Sequence, residues 1–288
     1  IFMGDFQNKK KKDEALKFAD SVIIGDAEDT WGNFLSDCLM GVPKKRYISD
    51  ESCLISSFDE DNSVYKHKYY GIGVYQLSRG CKFNCDFCSI KTMYKCVRRK
   101  PTDVIVNELK KSKEKIIFFA DDNLFYNEKS AVELFRAIAP LKKKWACQIS
   151  MDIAKNDMLL SEMKKAGCFL VLLGFETLNP DSLDKMNKTA NKSVTNYDDV
   201  IKKIYKHHIL IYGTFVFGYD NDSPDIFEKT LEFAVKNHLA VTNFNPLIPM
   251  PGTMVYNRME DEKRLIYKKW WLSDKYRYGE TAYIPLNM

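Results

Sequence analysis

No stretch of the 288-residue chain approaches the roughly 18 consecutive apolar residues that a membrane-spanning helix requires, so no membrane span is expected. There is no large excess of one charge either. The 44 basic and 39 acidic side chains leave +5, and they alternate in amphipathic stretches such as NELKKSKEK and LEFAVKNH, the pattern of solvated helix faces. A nucleic-acid partner is therefore not implied. No secretory segment opens the chain and the eight cysteines are scattered, which argues against a disulfide framework and for a reducing cytoplasm. No repeat of fixed period is present, and the one low-complexity run, four lysines at 9–12, reads as a solvated loop or helix face.

What is there is enough for a substantial core, since 45% of the residues are hydrophobic and 13% aromatic. α/β barrels run to about 200–250 residues as one domain, so one large domain plus a small piece is expected. From about residue 70 the apolar runs GIGVYQL, KIIFFA, ACQIS, CFLVLLG, LIYGTFVFG and AVTNFNPL alternate with stretches of helical period. Strands so separated form a parallel sheet buried on both faces, and right-handed crossovers wrap it into a partial (β/α)6 barrel of the TIM type with function at the carboxyl ends of its strands. Asp157 is a candidate cap for one helix, Gly167 for its end, and Ser223 with Pro224 opens another. The early segment ALKFADSVIIGDAEDTWGNFLSDCLMGV reads helix, strand, loop, helix, and one such unit cannot cover both faces of a sheet. The expected division is the end of a Rossmann-like α/β domain at 1–52, a polar connection at 53–68, and the barrel with a closing segment at 69–288.

Directly after the first barrel run, residues 78–90 read SRGCKFNCDFCSI. Three thiolates in so tight a loop can hold three corners of a 4Fe-4S cluster and leave the fourth iron open to a cofactor. Zinc bound by Cys81, Cys85 and Cys88 with Cys96, or simple buried thiols, are the alternatives.

CKFNCDFC resembles the cysteine motif of the radical S-adenosylmethionine (radical SAM) superfamily, with Phe87 as its aromatic position. The segments FFADDNLF at 118–125, QISMDI at 148–153, LLGFETLNPDSLDKMNK at 172–188, GTFVFGYDND at 213–222 and NPLIPMPGT at 245–253 are similar to those of the subgroup with an N-terminal cobalamin-binding domain, and ADSVIIGDAEDTW to the end of that domain. The resemblance covers nearly the whole chain. It implies a cluster on Cys81, Cys85 and Cys88 whose open iron chelates S-adenosylmethionine, reductive cleavage to a 5'-deoxyadenosyl radical, and hydrogen abstraction from a substrate. Phe87 would then lie near the adenine, and a reductant such as flavodoxin or ferredoxin would be the protein partner.

A zwitterionic sulfonium needs polar groups at strand ends. Asp121, Asp122 and Asn123 follow the second run, with an Asx turn as the plain alternative; where superfamily members often carry Gly-Gly-Glu, this chain does not. Ser150 ends the third run and either donates to the cofactor or bonds backbone. Glu176, after a buried run, needs a partner there: the cofactor, or Lys185 or Lys188. Gly213 and Gly218 bracket the fifth run, where a missing side chain would admit the cofactor or a neighbouring loop, and Pro249, Pro251 and Gly252 form a turn at the mouth. Cys96, Cys147 and Cys168 read as buried thiols, the last two at strand starts.

No cysteine follows Cys168, so the auxiliary clusters of peptide-modifying relatives have no ligands, and Cys38 and Cys53 are too few for the second cluster of tRNA methylthiotransferases. No D-x-H-x-x-G segment is present; this chain is expected to hold cobalamin weakly or not at all, while the full-length protein either binds it or keeps the fold without it. The resulting expectation is C–H activation on a small-molecule or lipid substrate, by methyl transfer where cobalamin is present. A non-catalytic iron-sulfur electron carrier or redox sensor is the rival.

Overall fold

A computed structural model describes residues 2–3, 14–49, 71–94, 96–124, 127–192, 194, 196–277 and 279–288. Near the N-terminus, β1 (Phe2–Met3), β2 (Val22–Ile24) and β3 (Arg46–Ile48) form a parallel sheet in that order, with the helix Trp31–Leu39 between β2 and β3. Successive residues of a strand face opposite sides. Accordingly Val22 and Ile24 pack with Ala15, and Ile23 packs with Phe34 and Tyr47. The sequence reading has a single strand here. β3 escapes it because only Tyr47 of its three residues is buried, too short an apolar signal to register. The expected connection at 53–68, Cys53 and the lysine run at 9–12 lie outside the described residues.

Each of the six apolar runs is a strand: β4 (Ile72–Tyr75), then, beyond a small ribbon of β5 (Ser78–Arg79) and β6 (Arg98–Arg99), β7 (Ile116–Phe119), β8 (Lys144–Ile149), β9 (Cys168–Glu176), β10 (Leu210–Phe217) and β11 (Val241–Pro246). They lie in the order β4-β7-β8-β9-β10-β11 and every pairing is parallel. Sequential order with parallel pairing demands a crossover between neighbours, and helices supply it, giving a partial barrel whose two edges are β4 and β11. β9 is apolar almost throughout because helices cover it. Its Val171, Leu173 and Phe175 are fully buried, in one core with Leu159, Leu160 and Met163 from the preceding helix and Val200, Ile201 and Ile204 from the helix Tyr197–Lys206 that leads into β10.

The helix starts are displaced from the expected ones by a residue or two. Asn156 caps the helix Asp157–Lys165, its side-chain oxygen accepting from the Met158 and Leu159 amides at 3.0 and 3.3 Å, and Asp157 falls in the first turn, where its charge favours the helix N-terminus. Gly167 does end that helix, at φ +102°. The helix Ile226–Lys236 starts after Asp225, beyond the expected Ser223 and Pro224.

After β11 the chain passes through the helix Met254–Asp261 and returns across the barrel end, where Tyr283 pairs with Leu265. The buried Tyr283 hydroxyl donates to the Gly218 carbonyl at 2.6 Å. Cys168 opens β9, but Cys147 lies inside β8, both buried; Cys96, expected to be buried, is exposed in the turn that leads into β6. No helix among the described residues is long and apolar enough to cross a membrane.

Candidate active site

The cysteine loop hangs from the carboxyl end of β4. β5 and β6 pair antiparallel at its neck, and Gly80 turns the chain at φ +90°. A Cβ at Gly80 would stand 2.6 Å from the Cys96 carbonyl oxygen, so glycine is what lets the two arms of the loop meet. Two carboxylates that follow β7 hold the near arm. Asp121 accepts from the Leu77 amide at 3.1 Å and from the Ser78 hydroxyl, and Asp122 accepts from the Gly80 amide at 2.9 Å. Asp122, expected at the cofactor, is thus engaged with the loop backbone.

The far arm is held through Asp86, between the second and third cysteines. Its buried carboxylate accepts from the Tyr219 hydroxyl at 2.6 Å and from Arg258 at 3.3 Å; its amide donates to the Met186 carbonyl and its own carbonyl accepts from the Val255 amide. Asn187 donates to the Asn84 carbonyl at 2.8 Å. Cys81, Cys85 and Cys88 are half-buried on this anchored backbone. Burial pushes the Cys85 thiol up to about 11 and raises that of Cys88, so metal binding must displace their protons.

Among the described residues no three His, Cys, Asp or Glu side chains converge on a single ion. Cys96, the fourth donor of the zinc alternative, is exposed. A cubic cluster asks for something else, because each thiolate binds a different corner iron. Three half-buried cysteines on one fixed loop fit that requirement.

Around the loop the strand ends supply polar groups in two sets. Asn123 donates to the Ser150 hydroxyl at 3.1 Å and toward Cys81 Sγ at 4.0 Å; Ser150 donates to Asp152, which pairs with Lys82 at 2.7 Å. In the second set Glu176 pairs with Lys188, and Lys188 Nζ stands 5.8 Å from the centre of the Phe87 ring. The ion-pair partner weighed for Glu176 from sequence is thus present. β9 bulges immediately before it: Gly174 pairs with Thr214 but the next pairing is Glu176 with Phe215. A bulge re-aims the following side chain, and Glu176 adopts φ +65°, a strained conformation for a non-glycine residue. Asn191 donates to the Gly174 and Phe175 carbonyls at this point, at 3.0 and 2.9 Å.

Gly213 does not join either set. A Cβ there would meet Leu239 at 2.8 Å and the Phe175 ring at 3.2 Å, so the residue faces the helical layer and its smallness serves packing. Of the expected cofactor residues, then, the structure gathers Asn123, Ser150, Glu176 and Phe87 around the cysteines. It adds Lys188, which the sequence offered only as a salt-bridge partner, and Asp86, whose position between two cysteines was its only signal.

Asp121 makes the site's neck sensitive to pH. Burial lifts its carboxyl to about 6 despite the bonds from Ser78 and Leu77. The unfolded value is about 3.9, so the folded chain retains the extra proton between the two values; the stability this contributes is fully present below about pH 4 and is lost as pH rises through 6. Relative to Asp121→Asn, the wild type should lose the equivalent of about 3 kcal/mol between pH 4 and 7 in denaturant titrations. A gap that does not change with pH would show that Asp121 ionises normally.

The family model of the radical SAM superfamily matches residues 75–234, more than half of the chain. The chain belongs to that superfamily. Membership brings a 4Fe-4S cluster and S-adenosylmethionine as cofactors, and supports radical SAM catalysis over an electron carrier. Bacteriochlorophyllide d C-12(1)-methyltransferase from Chlorobaculum tepidum is 31% identical over 96% of this chain and 63% of its own length. Hopanoid C-2 methylase from Rhodopseudomonas palustris is 29% identical over 69% of this chain and 40% of its own. The chain therefore spans less than two thirds of either relative. Among solved structures, the radical S-adenosylmethionine methyltransferase TsrM from Kitasatospora setae, with cobalamin and a [4Fe-4S] cluster bound, superposes at TM-score 0.57 with 17% identity, covering 66% of this chain and 37% of that one. The cobalamin-dependent S-adenosylmethionine radical enzyme OxsB superposes at 0.56 with 14% identity over 80% and 42%. These two share the fold.

Proposed function

We propose that this chain is the radical-generating barrel of an enzyme that activates an unreactive C–H bond of a small molecule or lipid, for methyl transfer where the full-length protein holds cobalamin. The observation that carries the reading is the cysteine loop, anchored from both arms and bordered by Asn123, Ser150, Glu176 and Lys188. When bound, the cluster and S-adenosylmethionine supply a 5'-deoxyadenosyl radical for hydrogen abstraction. Cys81, Cys85 and Cys88 hold three irons. Asn123, Ser150 and Glu176 offer hydrogen bonds to the amino acid and ribose ends of S-adenosylmethionine, and Phe87 an apolar face to its adenine.

Residues 1–52 are read as the end of a cobalamin-binding domain and 53–68 as its connection to the barrel at 69–288. The names of two relatives, a bacteriochlorophyllide d C-12(1)-methyltransferase and a hopanoid C-2 methylase, support methyl transfer. A low-potential donor of the flavodoxin or ferredoxin type, in the cytoplasm, suits the required one-electron reduction. Anaerobically reconstituted, dithionite-reduced protein should convert S-adenosylmethionine to methionine and 5'-deoxyadenosine. Product no faster than in a protein lacking all three loop cysteines would overturn the reading.

A further inference from the structure

The neck of the cysteine loop contains a charge conflict. In the β5–β6 ribbon Arg79 lies directly opposite Arg98, and like charges facing each other across an antiparallel pair destabilise it. Both side chains are largely buried, at 13% and 12% exposure, so water screens the repulsion poorly. Arg98 also lies over the Tyr94 ring, 5.5 Å from its centre, and Arg79 Nε donates to the Gln76 side chain at 3.0 Å.

Two carboxylates that pair with these arginines come from the N-terminal unit. Asp26, two residues beyond the end of β2, sets one oxygen 3.1 Å from Arg79 Nη1 and the other on Arg98 Nη1, and is itself 13% exposed. Glu28 adds a second carboxylate, 3.2 Å from Arg79 Nη1 and 2.5 Å from Nη2. One carboxylate bridging two opposed guanidiniums turns the repulsion into charge-assisted bonds that join the two strands of the neck.

We propose that Asp26 is a positioning residue for the iron-sulfur cluster, closing the β5–β6 neck from the N-terminal unit so that Cys81 is held in register with Cys85 and Cys88. The proposal rests on the cluster-binding reading above. A salt bridge that merely docks the two units would affect global stability and leave the cluster untouched; a neck that opens exposes the cluster to loss while the fold persists.

The test is iron release to a ferrous chelator from the anaerobically reconstituted full chain, measured well below the melting temperature. Asp26→Asn should speed release about tenfold, the effect of losing one charge-assisted bond. In an Arg98→Gln background, which removes the opposed charge, the same substitution should change the rate less than about threefold, because the two act through one interaction. Glu28→Gln, at the more exposed end of the network, should speed release about threefold and keeps the test decisive if Asp26→Asn does not fold. Unchanged release in whichever of these variants folds, with a lowered melting temperature, would overturn the proposal, as would an equal effect of Asp26→Asn with and without Arg98. A wild-type chain that takes up no cluster would instead overturn the functional reading itself.

Discussion

Alanine at Cys81, Cys85 or Cys88 is expected to leave the purified, reconstituted chain without its cluster, while Cys96→Ala keeps a full complement of iron and sulfide. On the proposed reading each loop cysteine would be the sole protein ligand to one corner and the fourth corner would have none, so losing one thiolate would leave two of about four irons without a protein ligand. Cys147, Cys168 and Cys96 are not placed to step in. Cys147 and Cys168 are buried within the helix-covered core of the sheet, and Cys96 contributes its carbonyl, not its sulfur, to the contact at Gly80. Formation of 5'-deoxyadenosine should fall to the cluster-free background in the three variants and stay at the wild-type rate in Cys96→Ala. A loop variant with full iron and sulfide, or a Cys96→Ala protein without them, would mean that the ligand set is misassigned.

The sequence made the barrel and the cysteine loop legible for the same reason: both are local signals. A run such as CFLVLLGFE is apolar because β9 is covered on both sides, and the triplet is a spacing within eight residues. What holds the loop was not legible, because its partners are remote. Asp86 meets Tyr219 and Arg258 across 133 and 172 positions. Asp122 was expected at the cofactor because it ends a strand, but which of three adjacent polar residues folds back on the loop depends on backbone direction at that end; the Gly80 amide takes Asp122 and leaves Asn123 for Ser150. The direction of approach at Gly213 was illegible for a related reason. A glycine in a strand signals close approach but not from which face, and here the approach is by Leu239 and Phe175.

Glu176 and Lys188 should separate stability from cofactor binding. Their side chains are only 8% and 17% exposed. Burial works against the Lys188 charge, but Glu176 and Cys85 outweigh it and raise the ammonium above its ordinary value, so Lys188 keeps its charge at neutral pH. Lys188→Met leaves a buried carboxylate without its counter-charge and should destabilise the chain by about 3 kcal/mol, the lower end for breaking a buried pair. Glu176→Gln keeps the volume and a hydrogen-bonding oxygen near Lys188, but removes the charge that would face the ribose or ammonium of S-adenosylmethionine, worth about 1.5–3 kcal/mol, so the dissociation constant should rise roughly tenfold to a hundredfold with cluster content unchanged. The double variant Glu176→Gln/Lys188→Met decides between roles. With no charge left to strand, it should regain most of the stability lost in Lys188→Met, yet bind S-adenosylmethionine as weakly as Glu176→Gln does. If Glu176→Gln leaves the dissociation constant where it was and lowers only the melting temperature, the strained φ and the bulge in β9 serve the ion pair alone, and the cofactor's ribose and ammonium must be met by Asn123 and Ser150 instead.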